Sequence, residues 1–329
     1  MPTEERVSVL RVRDAIIVGS GPAGYSAAIY AARAGLDTLL VAGDMDGGAL
    51  MVAGHLDNYP GFARPVYGPG LAHEMRIQAQ RCGAEVQLGD VDELLLAGAI
   101  KSVSVNGTHH YAKSLILTMG AVNRSLGVPG ERELTGRGVC TSAKSHGGRF
   151  TDREVAVVGG GDAATEEALF VATLARRVIL VHRRRLLRAS TATVVQLRSQ
   201  PNIVVEENAE VLAVQGKDHV TGLRMRHVDT AAECDVRADA VVVAIGQRPR
   251  SDLLAGQVDL DARGYVQTRD QSTHTCVDGV FAAGDLIDGR YRQAVTAAAT
   301  GCRAALDARR WIDQCRSVTS SIAGPCSAR

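Results

Sequence analysis

Short, uninterrupted runs of apolar residues recur along the chain, separated by longer mixed stretches. Such runs are typical of strands that are buried on both faces of a parallel sheet. The runs lie at residues 14–18, 38–42, 115–121, 155–158, 178–181, 240–246 and 279–283. Helices are predicted over residues 25–35, over residues 70–82, and from 294 to about 312. The alternation of strands and helices predicts an α/β protein.

The first apolar run leads directly into a glycine-rich turn and then into a helix. The turn reads Gly19, Ser20, Gly21, Pro22, Ala23 and Gly24, a G-x-G-x-x-G pattern. In that position the glycines permit a tight turn, and backbone N–H groups at the helix N-terminus can approach a pyrophosphate. The pattern alone is weak, but the order of strand, turn and helix predicts a dinucleotide site.

The strand that follows lacks the acidic residue expected at its end, which usually binds the adenosine ribose hydroxyls. Ala42 occupies that position, and Asp44 lies two residues further on. Asp44 is either a substitute for the missing acid or an ordinary turn residue.

A second strand, glycine turn and helix begin at residue 155. Gly159, Gly161, Asp162 and Ala163 form the turn. The next strand ends in a basic cluster that contains His182, Arg183, Arg184 and Arg188. Arginines at this position suit a 2′-phosphate, whereas an acid there selects NAD. The cluster therefore favours NADPH over NADH, with a solvated basic loop as the alternative.

Two of the predicted strands, near residues 120 and 246, end in glycine on either side of this second turn. We expect one domain to comprise residues 1–122 and 249–329, with residues 123–248 inserted into it. The predicted fold is α/β, with two Rossmann-like three-layer nucleotide-binding domains. The small polar residues 317–329 are predicted to form a flexible tail.

Composition narrows the classes of function. The net charge is +1, so we expect no nucleic-acid partner and no attraction to anionic membranes. None of the seven cysteines pair as C-x-x-C, and the N-terminal residues are charged. We expect reduced thiols, no signal peptide, no membrane span, a cytoplasmic location and no metal site.

These patterns together resemble the low-molecular-weight thioredoxin reductases, class II pyridine nucleotide-disulfide oxidoreductases, over residues 13–313. The matching motifs are Gly19–Gly24, Gly47-Gly48, Asn58-x-Pro60-Gly61-Phe62, Gly159–Asp162, His182-Arg183-Arg184, Arg188-Ala189-Ser190, Gly284-Asp285 and Arg292-Gln293-Ala294. The resemblance implies a homodimer that binds FAD and NADPH. It assigns FAD to the whole first turn (Gly19, Ser20, Gly21, Pro22, Ala23 and Gly24), Gly48, Asn58, Gly284 and Asp285, with Arg292, Gln293 and Ala294 near the isoalloxazine. It assigns NADPH to the second turn and to the cluster of His182, Arg183, Arg184 and Arg188.

The chain departs from this family at its redox segment. The family has C-A-T-C-D-G where this chain has Ser142, Ala143, Lys144, Ser145, His146 and Gly147. A serine hydroxyl cannot form a disulfide or store two electrons. Ser142, Ser145 and His146 are candidate catalytic residues, His146 as a proton carrier. Cys140 either has a chemical role or is a buried, inert thiol.

From this departure we predict that the chain is not a functional thioredoxin reductase. In this prediction reduced FAD passes electrons directly to an external acceptor, either a small molecule or a protein, or to a small-molecule substrate such as a biosynthetic intermediate. One alternative is an FAD-dependent oxidase with O2 as the final acceptor, which the arginines argue against. Another is a catalytically silent protein that binds flavin and NADPH. NADPH-dependent bleaching of the flavin would separate an enzyme from a silent protein.

Overall fold

A computed structural model describes residues 11–143 and 147–322. Contacts divide the chain into two compact units. The first unit comprises the described parts of residues 1–53, 59–122 and 249–329. The second unit comprises the described parts of residues 54–58 and 123–248.

The elements follow one another in three stretches of chain. The N-terminal stretch contains β1 (Val12–Val18), α1 (Pro22–Arg33), β2 (Thr38–Val41), β3 (His55–Leu56), β4 (Val66–Tyr67), α2 (Gly68–Arg81), β5 (Glu85–Gln87), β6 (Val91–Leu95), β7 (Lys101–Val105), β8 (Thr108–Leu117) and β9 (Ala121–Asn123). The middle stretch contains β10 (Val139–Cys140), β11 (Glu154–Val158), α3 (Asp162–Ala172), β12 (Arg177–His182), α4 (Thr191–Arg198), β13 (Ile203–Glu207), β14 (Ala209–Gly216), β15 (Val220–His227), β16 (Glu233–Arg237) and β17 (Ala240–Val243). The final stretch contains β18 (Gln247–Pro249), β19 (Val280–Ala282) and α5 (Ala294–Ile322).

The main sheet of the first unit has the order β5-β2-β1-β8-β7-β6, and β19 pairs with β8. Strand β1 is parallel to β2 and β8, with Ile16 opposite Leu39 on one side and Leu115 on the other. These three side chains are fully buried. Helix α5 lies close against α1. A Cβ atom at Gly301 would come within 2.0 Å of the Ala23 carbonyl oxygen, so this approach requires a glycine.

The second unit has a parallel sheet in the order β10-β17-β11-β12-β13, together with an antiparallel sheet of β14, β15 and β16. The apolar run at residues 155–158 is the central strand β11, and Val155, Ala156 and Val157 are fully buried there. Each unit thus places a glycine turn at the carboxyl end of a central parallel strand, where α/β proteins bind nucleotides. The predicted fold class is confirmed.

The last helix differs from its prediction. Helix α5 continues to Ile322, whereas we expected it to end near residue 312 and a flexible tail to begin at Ser317. No glycine or proline interrupts the chain between Gly301 and Gly324, so nothing in the backbone stops the helix. The part of the predicted tail beyond Ile322 lies outside the described residues. Across the described chain, none of the helices is long and apolar enough to span a membrane.

Candidate functional site

The first glycine turn is shaped by close approaches between backbone atoms. A Cβ atom at Gly24 would lie 1.8 Å from the Gly19 carbonyl oxygen, and one at Gly19, which has a φ of +109°, would lie 2.4 Å from that of Thr118. Gly21 differs, because a Cβ atom there meets nothing within 4 Å. Gly21 also caps α1 without a side-chain hydrogen bond. Open space therefore adjoins the N-terminus of α1, as an anion site requires.

Two predicted FAD residues from distant parts of the sequence lie beside this turn. A Cβ atom at Gly48 would come within 3.2 Å of the Gly21 Cα, and one at Gly284 within 2.8 Å of the Ala23 Cβ. The Gly284 N–H donates to the Thr300 hydroxyl at 2.9 Å, which fixes this approach. The absence of side chains at these two positions lets their segments pack against the turn, and together with the open space at Gly21 they form a cradle that fits a pyrophosphate.

Ser20 ties the turn to the neighbouring loop. Its hydroxyl donates to the Ala42 carbonyl at 2.8 Å and accepts from the Gly47 N–H at 3.0 Å. Ala42 is buried at the end of β2, while the Asp44 side chain is exposed. The Asp44 N–H donates to the Asp90 carboxylate at 3.1 Å, which holds this turn. That Asp44 binds the adenosine ribose and that it is an ordinary turn residue both stay predictions.

Asp46 is a site residue that the sequence reasoning missed. Its carboxylate accepts a hydrogen bond from the Tyr25 hydroxyl and forms a 2.6 Å ion pair with Arg76. Burial and Asp46 both raise the pKa of Tyr25, so the phenol stays protonated. The cluster joins α1 and α2 to the loop before Gly47. The only signal in the sequence was an acid directly before a glycine pair.

The segment after Gly284 carries a carboxyl group with a shifted pKa. Burial, and then the nearby Asp288, raise the pKa of Asp285 to about 6. The Asp288 carboxylate accepts hydrogen bonds from the backbone N–H groups of Arg290, Tyr291 and Arg292. Arg292 has a φ of +52° there.

The remaining predicted FAD residues lie around the start of α5 or apart from the turn. The Gln293 side chain donates to the Tyr291 carbonyl at 3.1 Å, and α5 begins at Ala294. Asn58 is exposed and belongs to the second unit. The role assigned to each of these residues in FAD binding stays a prediction.

The second glycine turn repeats the design of the first. Gly159 has a φ of +149°, and a Cβ atom there would lie 2.4 Å from the Ala244 carbonyl oxygen. A Cβ atom at Gly161, directly before α3, would meet nothing within 4 Å. The first two residues of α3 are Asp162 and Ala163, and the Asp162 carboxylate accepts from the Ser190 N–H at 2.9 Å. The turn again leaves a helix N-terminus open to an anion.

The basic cluster predicted to bind the 2′-phosphate lies directly after β12. Arg183, Arg184, Arg185 and Arg188 are all exposed. Among the residues that the structure describes, no carboxylate forms a salt bridge with any of these four guanidinium groups. Unpaired arginines on a fixed backbone suit a phosphate dianion. His182 is buried rather than exposed beside them.

Of the predicted catalytic residues, only Cys140 and Ser142 are described. Ser145 and His146 lie outside the described residues. The Ser142 hydroxyl donates to one oxygen of the Glu167 carboxylate at 3.0 Å, and the Ala143 N–H donates to the other at 2.7 Å. Burial, followed by Glu167, raises the pKa of Cys140 to about 12. The thiol is therefore protonated at neutral pH, and sequence reasoning did not identify Glu167.

These features define a two-nucleotide oxidoreductase, and the chain belongs to the pyridine nucleotide-disulphide oxidoreductase family, which it matches over residues 13–301. It is 50% identical over 301 residues to a thioredoxin reductase of Mycolicibacterium smegmatis, covering 92% of this chain and 97% of that one. It is 49% identical over 302 residues to a bifunctional thioredoxin reductase/thioredoxin of Mycobacterium leprae (strain TN), covering 92% of this chain and 66% of that one. Among solved structures, thioredoxin reductase from Giardia duodenalis matches with a TM-score of 0.86 at 34% identity, covering 92% of this chain and 99% of that one.

The similarity confirms the predicted cofactors and corrects the predicted function. The thioredoxin reductase family uses FAD and NADPH, and the chain is an oxidoreductase of that type. The prediction of direct electron delivery from FAD to an external acceptor, by a protein that is not a thioredoxin reductase, was wrong. Relatives that match nine-tenths of the chain are named thioredoxin reductases. The prediction relied on the side chains at positions 142 and 145, whereas the similarity to thioredoxin reductases covers 92% of the chain.

Proposed function

We propose that the chain is a thioredoxin reductase, whose overall reaction uses one NADPH and one proton to convert a thioredoxin-type disulfide into two thiols. The similarity to thioredoxin reductases across 92% of the chain carries this proposal. The Mycobacterium leprae relative, named both thioredoxin reductase and thioredoxin, supports thioredoxin as the partner.

The first unit is proposed to hold FAD. The N–H groups at the start of α1 face the pyrophosphate, since the space beside Gly21 is open and the glycines at 48 and 284 let their segments approach the turn closely. Asp285 lies next to this cradle, at the start of the segment that leads to α5. The bound flavin supplies two-electron redox chemistry.

The second unit is proposed to hold NADPH. The start of α3 faces the pyrophosphate, with space left open at Gly161. The guanidinium groups of Arg183, Arg184 and Arg188 bind the 2′-phosphate, because they have no carboxylate partner among the described residues. We also propose that the protein acts as a homodimer in the cytoplasm, as its resemblance implies.

A finer part of the proposal concerns the serines. We propose that Ser142 and Ser145 stand where the family carries its redox dithiol. Because a hydroxyl cannot form a disulfide, Ser142 and Ser145 do not form a redox dithiol of the enzyme. Anaerobic titration with NADPH tests this part. Ser142→Cys combined with Ser145→Cys should raise the uptake by one equivalent per FAD above that of the parent, because a new dithiol stores two more electrons. An uptake of two by the parent would require another pair among the seven cysteines.

The proposed function is tested with the FAD-loaded chain, NADPH and oxidised thioredoxin under anaerobic conditions. Thioredoxin thiols should appear in a ratio of two for each NADPH consumed. The chain without FAD is the control and should produce none. If NADPH bleaches the flavin but no thioredoxin thiols appear, thioredoxin is not the partner.

A further inference from the structure

The His182 side chain lies between the two segments of the second unit that are proposed to bind phosphate groups. Its exposure is 5%, although its neighbour Arg183 is exposed. The ring fills the space above Gly160, where a Cβ atom would come within 2.0 Å of the His182 Nδ1. The middle glycine of the turn is therefore required by the imidazole ring.

The opposite side of the ring is bound to the arginine loop, which we define as residues 183–188. His182 Nε2 lies 2.9 Å from the Leu186 carbonyl oxygen. Because a carbonyl oxygen only accepts hydrogen bonds, Nε2 must carry a proton and donate it. The hydrogen bond of the Nε2–H is thus already made to the protein's own backbone.

Two backbone hydrogen bonds fix the same loop. The Arg188 N–H donates to the Gly160 carbonyl at 2.6 Å, so the glycine turn contacts the end of the loop directly. The Asn208 N–H donates to the Arg184 carbonyl at 3.2 Å. The backbone of the loop is therefore held at both ends and in the middle, while its guanidinium groups stay exposed.

We propose that His182 is a positioning residue that couples the glycine turn to the arginine loop, and that it does not bind the 2′-phosphate itself. This inference rests on the proposed NADPH site. A nucleotide that reaches both segments gains from their fixed spacing, because the second contact forms at high effective concentration. Without the His182 bridge, the arginines remain, but the middle of the loop loses its contact and only the backbone bonds at Arg184 and Arg188 position it.

The test compares the dissociation constants of NADP+ and NAD+ for the FAD-loaded protein. The parent should prefer NADP+ roughly ten- to hundredfold, as expected for charge-assisted contacts. His182→Gln keeps an amide N–H near the place of Nε2, so the preference should stay within about threefold of the parent's. His182→Asn is one methylene shorter and cannot reach Leu186. In His182→Asn the dissociation constant of NADP+ should rise about tenfold, while that of NAD+ stays unchanged.

Combining the His182 variant with replacement of the arginines shows whether His182 positions the arginine loop or contacts the 2′-phosphate directly. In a background with Arg183→Ala, Arg184→Ala and Arg188→Ala, adding His182→Asn should not weaken NADP+ binding further. A further severalfold loss in that background would mean that His182 touches the phosphate, which overturns the inference. Equal affinities for His182→Gln and His182→Asn would overturn it as well. If the parent itself shows no preference for NADP+, the proposed NADPH site fails, and this is visible without any His182 variant.

Discussion

Replacing Glu167 with alanine should release the backbone that leads from Cys140 to Ser142. The Glu167 carboxylate is the acceptor for the Ala143 N–H and for the Ser142 hydroxyl. Ala143 is fully buried and Glu167 is 9% exposed, so water cannot readily replace these bonds. Leaving a buried donor without a partner costs about 1–3 kcal/mol.

The matched variant Glu167→Gln should behave differently. Its amide oxygen can accept from the Ala143 N–H, and its amide nitrogen can donate to the Ser142 hydroxyl oxygen. Both hydrogen bonds then persist without the charge, and the cost falls to about 1 kcal/mol or less. Glu233→Ala, at an exposed position of β16 in the same unit, is the control and should leave this backbone unchanged.

Hydrogen exchange at the Ala143 amide measures the effect directly. Fluorescence is unsuitable, because the single tryptophan, Trp311, lies in α5 of the first unit. A loss of about 1–3 kcal/mol corresponds to exchange roughly five- to 150-fold faster in Glu167→Ala. If the Ala143 amide exchanges at the parent rate in this variant, Glu167 does not hold the segment and the reasoning is refuted.

Three further predictions concern other groups. Because the pKa of Cys140 is raised to about 12, only about one molecule in 10⁴ carries the Cys140 thiolate at pH 8. An alkylating reagent should therefore modify the exposed Cys315 before Cys140. Equal alkylation rates of Cys140 and Cys315 would contradict this prediction. Gly24→Ala should destabilise the first unit, whereas Gly21→Ala should fold and lose FAD occupancy; full flavin content in Gly21→Ala would exclude the proposed cradle. Because the pKa of Asp285 is raised to about 6, the FAD-free folded protein binds more protons than the unfolded chain between pH 4 and 6. The free energy of unfolding of the FAD-free protein should therefore fall as pH rises from 4 to 6. In thermal melts, Asp285→Asn should reduce this dependence on pH.

The strands and glycine turns could be predicted because their signals are local. Apolar runs formed most of the central strands β1 and β11, since a strand buried on both faces has few polar positions. Gly19 and Gly159 have positive φ values in the structure, as the predicted turns need. The end of α5 was misplaced because polar composition was given more weight than the absence of a helix-breaking residue.

The polar contacts of the site could not be predicted, because each joins residues that are distant in sequence or depends on packing. Glu167 reaches Ser142 across 25 positions, and Asp46 joins residues on two helices. His182 was expected to bind the cofactor, yet burial against Gly160 is decided by how β12 lies beside the glycine turn. The function was mispredicted because two side-chain positions were given more weight than a similarity to thioredoxin reductases over 92% of the chain.

The most direct test is the anaerobic reduction of the FAD-loaded protein by NADPH and by NADH, followed by flavin absorbance. We expect NADPH to bleach the flavin at roughly ten- to hundredfold lower concentration than NADH. The preference should disappear when Arg183 and Arg184 are both replaced by alanine. Equal efficiency of NADH and NADPH with the unmodified protein, or no bleaching by either, would contradict the claim that the second unit delivers electrons from NADPH to the flavin.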